Sequence, residues 1–267
     1  MRIIPAAATS IMNVPLMESS SEFIGAFELS VDFAMDDVDA IPIDRLRELG
    51  ADGIAFTVHA PFRDLNIASL NAGAYEAARV DTLRALEIAA EIGARVLNVH
   101  PGIHSYYPER YWAQMKDAER RVYEELSGYG TPRGIRIVAE NLIRTNVHFE
   151  DTWNLDGIIA LHDAWRGELK GVCVDTGHAN QAGLDPAAAI RRLGSRVKHL
   201  HLQDNHGGPI DEHLPIGDGV IDWDGVFDAL EGIDFDGFAV FEFGPADRQR
   251  EAVERLVARF GAAAARP

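Results

Sequence analysis

The sequence is poor in cysteine and has no long apolar segment. Among its 267 residues Cys173 is the single cysteine, so no disulfide can form within the chain, as is usual in a reducing cytoplasm. No apolar run reaches the roughly 18 residues that a membrane-spanning helix needs. Pro5 and Asn13 interrupt the N-terminal stretch, which suits a first strand better than a signal peptide. We therefore expect a cytoplasmic protein without a membrane partner.

Positive charge is also scarce. The chain has 25 Lys and Arg against 42 Asp and Glu, a formal net charge of −17. Such a chain repels nucleic acids and anionic membranes at long range, and the sequence has no basic stripe that would grip a phosphate backbone. Bound divalent metals would offset part of the charge. Nucleic acid is therefore a disfavoured partner, though not an excluded one.

Internal repeats, low-complexity linkers and charge blocks that would mark a domain boundary are missing as well. The stretch PAAATSIM, after the first apolar run, has no glycine-rich phosphate loop. An open doubly wound sheet would normally carry one there. These absences favour a single domain over residues 1–267 and argue against a dinucleotide-binding sheet.

Short apolar runs alternate instead with helical patterns. The runs predict strands at 2–8, 26–33, 53–59, 94–100, 134–140, 171–175, 196–203 and 237–242. Helical periodicity is clearest at 72–92, 110–127, 153–166, 185–193 and 245–260. Near-continuous apolar strands are typical of a parallel sheet covered by helices. Eight of them over about 250 residues predict an α/β fold, a (β/α)8 TIM barrel.

Carboxylates and imidazoles stand at or just beyond the ends of six successive predicted strands. In a TIM barrel these ends face one shared mouth. Converging buried carboxylates repel one another unless a cation binds them, so the pattern predicts a divalent-metal site. Imidazole and carboxylate without thiolate suit zinc, manganese, cobalt or iron. The candidate ligands are His59, His100, Glu140, Asp175, His178, His201, Asp211, His213 and Glu242.

Two further side chains lie close to these candidates in the sequence. Cys173 shares a strand face with Asp175, one layer deeper, and a core position is favoured for it. His199 shares a face with His201 by the same period of two, and we interpret it as a supporting or packing residue.

Several motifs together resemble the xylose-isomerase-like TIM barrel superfamily. They are VHAPFRDLNIAS at 58–69, VHPG at 99–102, AENL at 139–142, GVCVDTGHA at 171–179, HLHLQDN at 199–205, DEHLPIGDGVIDW at 211–223 and FEF at 241–243. The resemblance covers nearly the whole chain from about residue 25. The superfamily includes sugar and sugar-phosphate isomerases and epimerases, and also endonuclease IV of AP endonuclease family 2. The motifs are specific for the superfamily and much less so for a reaction.

The isomerase and epimerase branch implies a single divalent ion. FELSVDF at 27–33 looks like the second strand of those enzymes. The implied ligands are Glu140, Asp175, His201 and Glu242. The ion would polarise a carbonyl and stabilise an enediolate, while Glu140 and Glu242 take and return the proton. His178 and Asp204 would handle substrate hydroxyls.

Further substrate contacts are expected in the loops after the strands. Arg63, Arg110 or Arg144 could pair with a phosphate or carboxylate. Tyr106 and Trp112, in the aromatic loop after the fourth predicted strand, could wall a sugar pocket. Packing at the start of the next helix would explain the same aromatic residues equally well.

The endonuclease branch is similar at every metal position and implies a trinuclear zinc site formed by all nine candidates. The complete set favours an abasic-site phosphodiesterase, whereas the acidic charge favours the isomerase or epimerase. A barrel that binds metal and ligand without turnover is a third possibility. We favour the isomerase or epimerase with one to three zinc, manganese or cobalt ions. The sugar, its phosphorylation and the oligomeric state stay open.

Overall fold

Eight parallel strands close into a barrel in the computed structural model, which describes residues 1–33 and 37–261. Each strand pairs with the next, and β8 returns to pair with β1. The strands are β1 Arg2–Ser10, β2 Ala26–Ser30, β3 Ala55–His59, β4 Val96–Val99, β5 Arg136–Glu140, β6 Gly171–Asp175, β7 Val197–Leu202 and β8 Asp236–Phe241. The predicted TIM barrel is confirmed.

Helices follow the strands and cover the outside of the barrel. They are α1 Val14–Ser20, α2 Ile43–Ala51, α3 Ala72–Glu91, α4 Trp112–Gly130, α5 Glu150–Trp153, α6 Leu155–Ala164, α7 Thr176–Gln181, α8 Pro186–Leu193, α9 Trp223–Gly232 and α10 Ala246–Phe260. Local signals set several starts: the side chain of Asn71 caps α3, and Asp185 caps α8 ahead of Pro186. None of the helices in the described ranges is long and apolar enough to cross a bilayer.

Apolar side chains fill two layers. The larger cluster lies between strands and helices, and the smaller lies inside the barrel. The inner cluster is Ile4, Ala6, Ala26, Ala55, Val96, Val138, Cys173, Phe238 and Val240. Cys173 is fully buried there, as expected for a core residue.

The inner cluster also explains how the fold positions the site. Side chains along a barrel strand alternate between inside and outside. Two residues beyond Val138, Cys173 and Val240, the same inward positions hold carboxylates. Glu140, Asp175 and Glu242 thus sit at the top of an apolar plug, at the carboxyl ends of their strands.

Candidate metal centre at the barrel mouth

Four side chains converge at the top of the barrel. Glu140, Asp175, His201 and Glu242 each place one ligand atom within 4.8 Å of the others. Nδ1 of His201 lies 3.4 Å from Glu140 Oε1 and 3.2 Å from Glu242 Oε2. It lies 3.9 Å from Asp175 Oδ2. The structure thus brings together the four residues that the isomerase resemblance implies.

The donor set fits a divalent cation. Nδ1 of His201 is buried without a hydrogen-bond partner although three carboxylates surround it. The other ring nitrogen, Nε2, donates to Glu28 Oε1 at 2.7 Å. Burial lowers the pKa of His201, but Cys173, Glu242, Glu140 and Glu28 outweigh it and hold the pKa well above its usual value, so the ring is protonated without a cation. A bound cation would displace the Nδ1 proton, and the neutral ring, still donating through Nε2, would offer the Nδ1 lone pair. One imidazole nitrogen and three carboxylates suit zinc, manganese or cobalt.

Charges in this group shift the pKa values in opposite directions. Burial raises the pKa of Glu140, but His201 and His100 outweigh it and hold the pKa well below its usual range. Burial, together with Glu242 and Glu140, raises the pKa of Asp175 to about 7, against the opposing effect of His178. Glu140 is therefore ionised at neutral pH, whereas Asp175 keeps a proton more readily.

His59 and His100 form a second set on the other side of Glu140. Their Nε2 atoms lie 3.4 Å and 3.3 Å from Glu140 Oε2. One ligand atom from each of these three residues lies within 4.8 Å of the others. Nδ1 of His59 is 2.8 Å from the Ala60 carbonyl oxygen and donates to it, which leaves Nε2 facing Glu140. Glu140 therefore joins two neighbouring donor sets.

His178, Asp211 and His213 are linked in a chain at the edge of the mouth. Nε2 of His178 lies 3.2 Å from Asp211 Oδ2, and Nδ1 of His213 lies 3.4 Å from Asp211 Oδ1. His213 reaches Glu242 at 3.7 Å and is 40% exposed. All nine candidate ligands thus meet around the mouth, and which of them bind metal stays a prediction.

A cavity of about 680 Å³ opens beside this group, lined by Glu242, His213 and Arg63 among others. Its volume is in the range of small-molecule sites. The Arg63 guanidinium is paired with Asp32 and lies 5.0 Å from the centre of the Phe62 ring. Arg63 therefore lines the cavity, and its contact with substrate stays a prediction.

Asp204 has a different surrounding from the one expected. Its carboxylate is fully buried and accepts hydrogen bonds from Trp223 Nε1 at 2.7 Å and from the backbone nitrogens of Gly217 and Ile221 at 2.9 Å and 3.2 Å. Both oxygens are thus engaged in holding the loop between β7 and α9, contrary to the predicted contact with substrate hydroxyls.

The remaining substrate candidates lie outside the cavity. The guanidinium carbons of Arg110 and Arg144 each lie 4.8 Å from an aromatic ring, of Tyr111 and Trp153 respectively. Trp112 packs against the ring of His104 at 4.8 Å, in agreement with the packing interpretation. Tyr106 is 76% exposed and has a positive φ. Within the described chain, the residues that line the cavity include neither these two arginines nor Tyr106 and Trp112.

Three buried polar residues beneath and beside the site were not predicted. Glu28 accepts from Nε2 of both His199, at 2.6 Å, and His201. Nδ2 of Asn98 donates to Glu140 Oε2 at 2.6 Å, and Nε2 of Gln203 donates to Asp175 Oδ2 at 3.1 Å. The glutamate at the second position of FELSVDF was the available signal for Glu28, since an inward glutamate inside a barrel strand needs a partner.

Comparison with known families and proteins places the chain among similar barrels. The family described as "Xylose isomerase-like TIM barrel" matches residues 23–259. An uncharacterized protein of Methanocaldococcus jannaschii is 33% identical over 198 residues, which cover 71% of this chain and 64% of that protein. This chain thus spans less than two thirds of that relative's length. Inosose dehydratase of Clostridium beijerinckii is 24% identical over 217 residues, covering 67% of this chain and 70% of that protein.

Solved structures give the same picture. A D-tagatose 3-epimerase-like protein has 26% sequence identity and a TM-score of 0.83, with 98% of each chain covered. The IOLI protein, solved with a binding zinc atom, has 16% identity and a TM-score of 0.77, covering 98% of this chain and 100% of that one. The latter likeness shows the fold alone.

Proposed function

The chain belongs to the xylose isomerase-like TIM barrel family, and from that premise we propose that it is a divalent-metal-dependent sugar isomerase or epimerase. The observation that carries the proposal is the convergence of Glu140, Asp175 and Glu242 on the unpartnered Nδ1 of His201. The likeness to a D-tagatose 3-epimerase-like protein supports the same chemistry.

Two glutamates supply the proton transfer. Glu140 ends β5, and Glu242 follows β8 from another side of the barrel mouth. Burial raises the pKa of Glu242, but His201 lowers it overall, so both glutamates are ionised and either can accept a proton from the carbon beside a carbonyl. The glutamate that takes the proton can return it to the neighbouring carbon, which isomerises the sugar. Inversion of the first carbon instead requires that the opposite glutamate takes up a proton from solvent and donates it to the other face, while the first glutamate releases its proton to solvent. A bound divalent ion, held by the four residues, would polarise the carbonyl and stabilise the charge of the enediolate.

Other groups in the site position the substrate. Nδ1 of His178 donates to the Asn141 carbonyl oxygen at 2.9 Å, which fixes the ring and leaves Nε2 facing Asp211 and the mouth. Of the described residues that line the cavity, Arg63 is the one with a permanent positive charge, and it is already paired with Asp32. This pairing favours a neutral, hydroxyl-rich sugar over a phosphorylated one.

The proposal is tested by metal content and solvent exchange. Protein purified without chelator or affinity tag is analysed for metal per chain, then incubated with ketoses in deuterated water. We expect about one ion, and deuterium at the carbon beside the carbonyl. Glu140→Gln should abolish exchange in a folded barrel. Arg144→Gln, which changes an exposed arginine stacked on Trp153, should preserve it. Wild-type exchange by Glu140→Gln would refute the role of Glu140.

An endonuclease-like phosphodiesterase is the second candidate, because two further groups of possible metal ligands lie beside the four-residue set. They are His59, His100 and Glu140, and the linked residues His178, Asp211 and His213. About three zinc ions per chain, with cleavage of duplex DNA at abasic sites, would replace the isomerase proposal. The net charge of −17 opposes this outcome, and we expect weak DNA binding at physiological salt. Metal occupancy without turnover in either screen would leave a non-catalytic barrel.

A further inference from the structure

A second cavity, of about 450 Å³, lies at the opposite end of the barrel from the metal centre. Residues at the amino ends of the strands line it, and most of its charged side chains are cations. The charged lining consists of Arg2, Arg95, Arg136, Lys170 and Asp236.

These charges come from both sides of the barrel. Arg2 begins β1 and Asp236 begins β8, which are neighbouring strands. Arg136 begins β5, on the far side of the closed ring, and Arg95 and Lys170 directly precede β4 and β6. Ile4, Val96 and Phe238 of the inner cluster also line the cavity. The cations therefore surround an apolar floor that separates them from the metal centre.

Three of the four cations have no carboxylate partner among the described residues, and the fourth, Arg2, has one. Arg2 lies 3.4 Å from Asp236. Within residues 1–33 and 37–261, no carboxylate oxygen lies within 4.0 Å of the charged nitrogens of Arg95, Arg136 or Lys170. Nζ of Lys170 donates to the Gly167 carbonyl oxygen, and the Arg95 guanidinium lies 6.0 Å from the Phe238 ring centre. Like charges gathered around one cavity repel, and a bound anion would relieve this repulsion.

We propose that this cavity binds a small molecule that carries a phosphate group. Guanidinium groups match phosphate oxygens in a two-point geometry, and lysine adds a point charge. The volume is in the range of small-molecule sites. The chain as a whole has a net charge of −17 and repels anions, but this cavity has four cations and a single carboxylate in its lining and attracts them.

The cations have one competing explanation. α4 ends at Gly130, and Thr131 and Gly134 after it also line the cavity. Cations at such a helix end offset the negative pole of the helix dipole. This role alone would stabilise the fold without binding any anion, so the test must separate affinity from stability.

Calorimetric titration of the metal-loaded protein with inorganic phosphate and with glucose 6-phosphate, at constant ionic strength set by chloride, tests the proposal. We expect saturable binding of one anion per chain, and Arg136→Gln should weaken it about tenfold or more. Arg121→Gln changes an exposed arginine outside the cavity, stacked 6.0 Å from Tyr75, and should leave affinity unchanged. If glucose 6-phosphate binds more tightly than inorganic phosphate, the ligand is a phosphate ester. If the two bind equally, the ligand is free phosphate.

Three outcomes would overturn the proposal. One is the lack of saturable binding of both probes by the wild type. Another is that Arg63→Gln abolishes anion binding whereas Arg136→Gln does not, which would place the anion in the barrel mouth. The third is a drop in melting temperature for Arg136→Gln without any change in affinity, the result expected from the helix-end explanation. If Arg136→Gln does not fold, Lys170→Gln, which lies outside the strands, serves in its place.

Discussion

The carboxylate of Glu28 accepts a hydrogen bond from Nε2 of His201 at 2.7 Å, beneath the barrel mouth. Burial raises the pKa of Glu28, but His201 and His199 reverse this and hold its pKa well below the usual range. Glu28 is therefore an anion that holds the His201 ring in place through Nε2. Nδ1 is thereby presented to Glu140, Asp175 and Glu242 as a ligand.

Glu28→Gln should weaken metal binding about 10- to 100-fold, because a histidine ligand loses its ionised partner. Competition with a chelator of known affinity measures the change. Thr57→Val is the matched control, since Thr57 donates to the other oxygen of the same carboxylate, Oε2, at 2.9 Å, whereas His201 donates to Oε1. Equal losses from both variants would mean that a disturbed buried layer, and not the Glu28–His201 contact, caused the effect.

Metal binding should release protons at acidic pH. The pKa of Asp175 is raised to about 7, chiefly by burial, so its carboxyl is largely protonated below that pH and must ionise to bind a cation. Affinity should therefore fall as pH decreases below about 7. Because the pKa of His201 is also raised, its Nδ1 proton adds to the number released. Calorimetry in two buffers of different ionisation enthalpy counts the protons.

Asp175→Asn provides the comparison for that experiment. The variant should contain less metal than the wild type. At about pH 6 it should also release fewer protons on binding metal, because the titrating carboxyl is gone. Unchanged metal occupancy, at equal metal concentration, would remove Asp175 from the ligand set.

Asn98→Asp should reduce turnover. The amide of Asn98 donates to Glu140 Oε2 at 2.6 Å, and a carboxylate there would remove a donor and add a negative charge. A hydrogen bond to a charged group contributes about 1.5–3 kcal/mol, which predicts a loss of about 10- to 100-fold in kcat/KM. The repulsion also raises the pKa of Glu140, so the acidic limb of the kcat/KM profile should move to higher pH.

Asn154→Asp is the control for that variant. Asn154 caps α6 by accepting from the Asp156 backbone nitrogen at 3.0 Å, and aspartate caps a helix equally well. It should leave the pH profile unchanged. If Asn98→Asp also behaves like the wild type, the amide has no part in setting the state of Glu140.

Two glycine-to-alanine changes should have opposite effects on stability. A Cβ at Gly102 would lie 2.3 Å from Ala68 Cβ and 2.8 Å from Ala68 N, so Gly102→Ala should lower the free energy of unfolding. A Cβ at Gly128, inside α4, meets nothing within 4 Å, so Gly128→Ala should raise it by about 1 kcal/mol or less. Urea titration measures both changes, and destabilisation by Gly128→Ala would contradict the helix argument.

Local patterns in the sequence predicted most of the fold. The five predicted helices correspond to α3, α4, α6, α8 and α10. Five helices were not predicted: α1, α2, α5, α7 and α9. The four to seven residues of α1, α5 and α7 show too little periodicity, but α2 and α9 are as long as the predicted α8 and α6, so length does not explain why they were missed. The predicted strand at 26–33 ends at Ser30 in the structure, and residues 34–36 lie outside the described residues.

The roles of individual polar residues depended on contacts that no local pattern contains. Asp204 follows β7 in the same way that Asp175 ends β6, yet the loop from Gly217 to Trp223 folds back and engages its carboxylate. Glu28 resembles any isolated glutamate until His201, 173 residues away in the chain, lies against it.

The sequence by itself determined the alternation of strands and helices, and with it the delivery of carboxylates and imidazoles to one end of a barrel. This followed from the strand period of two, which is local and set by backbone geometry. The resemblance implied four of the nine candidates as one ligand set, and the tertiary structure decided their distances, that Glu28 lies under His201, and that cations gather at the other end. Closing the barrel brings together side chains from strands far apart in the sequence, and their mutual distances set their charges and partners.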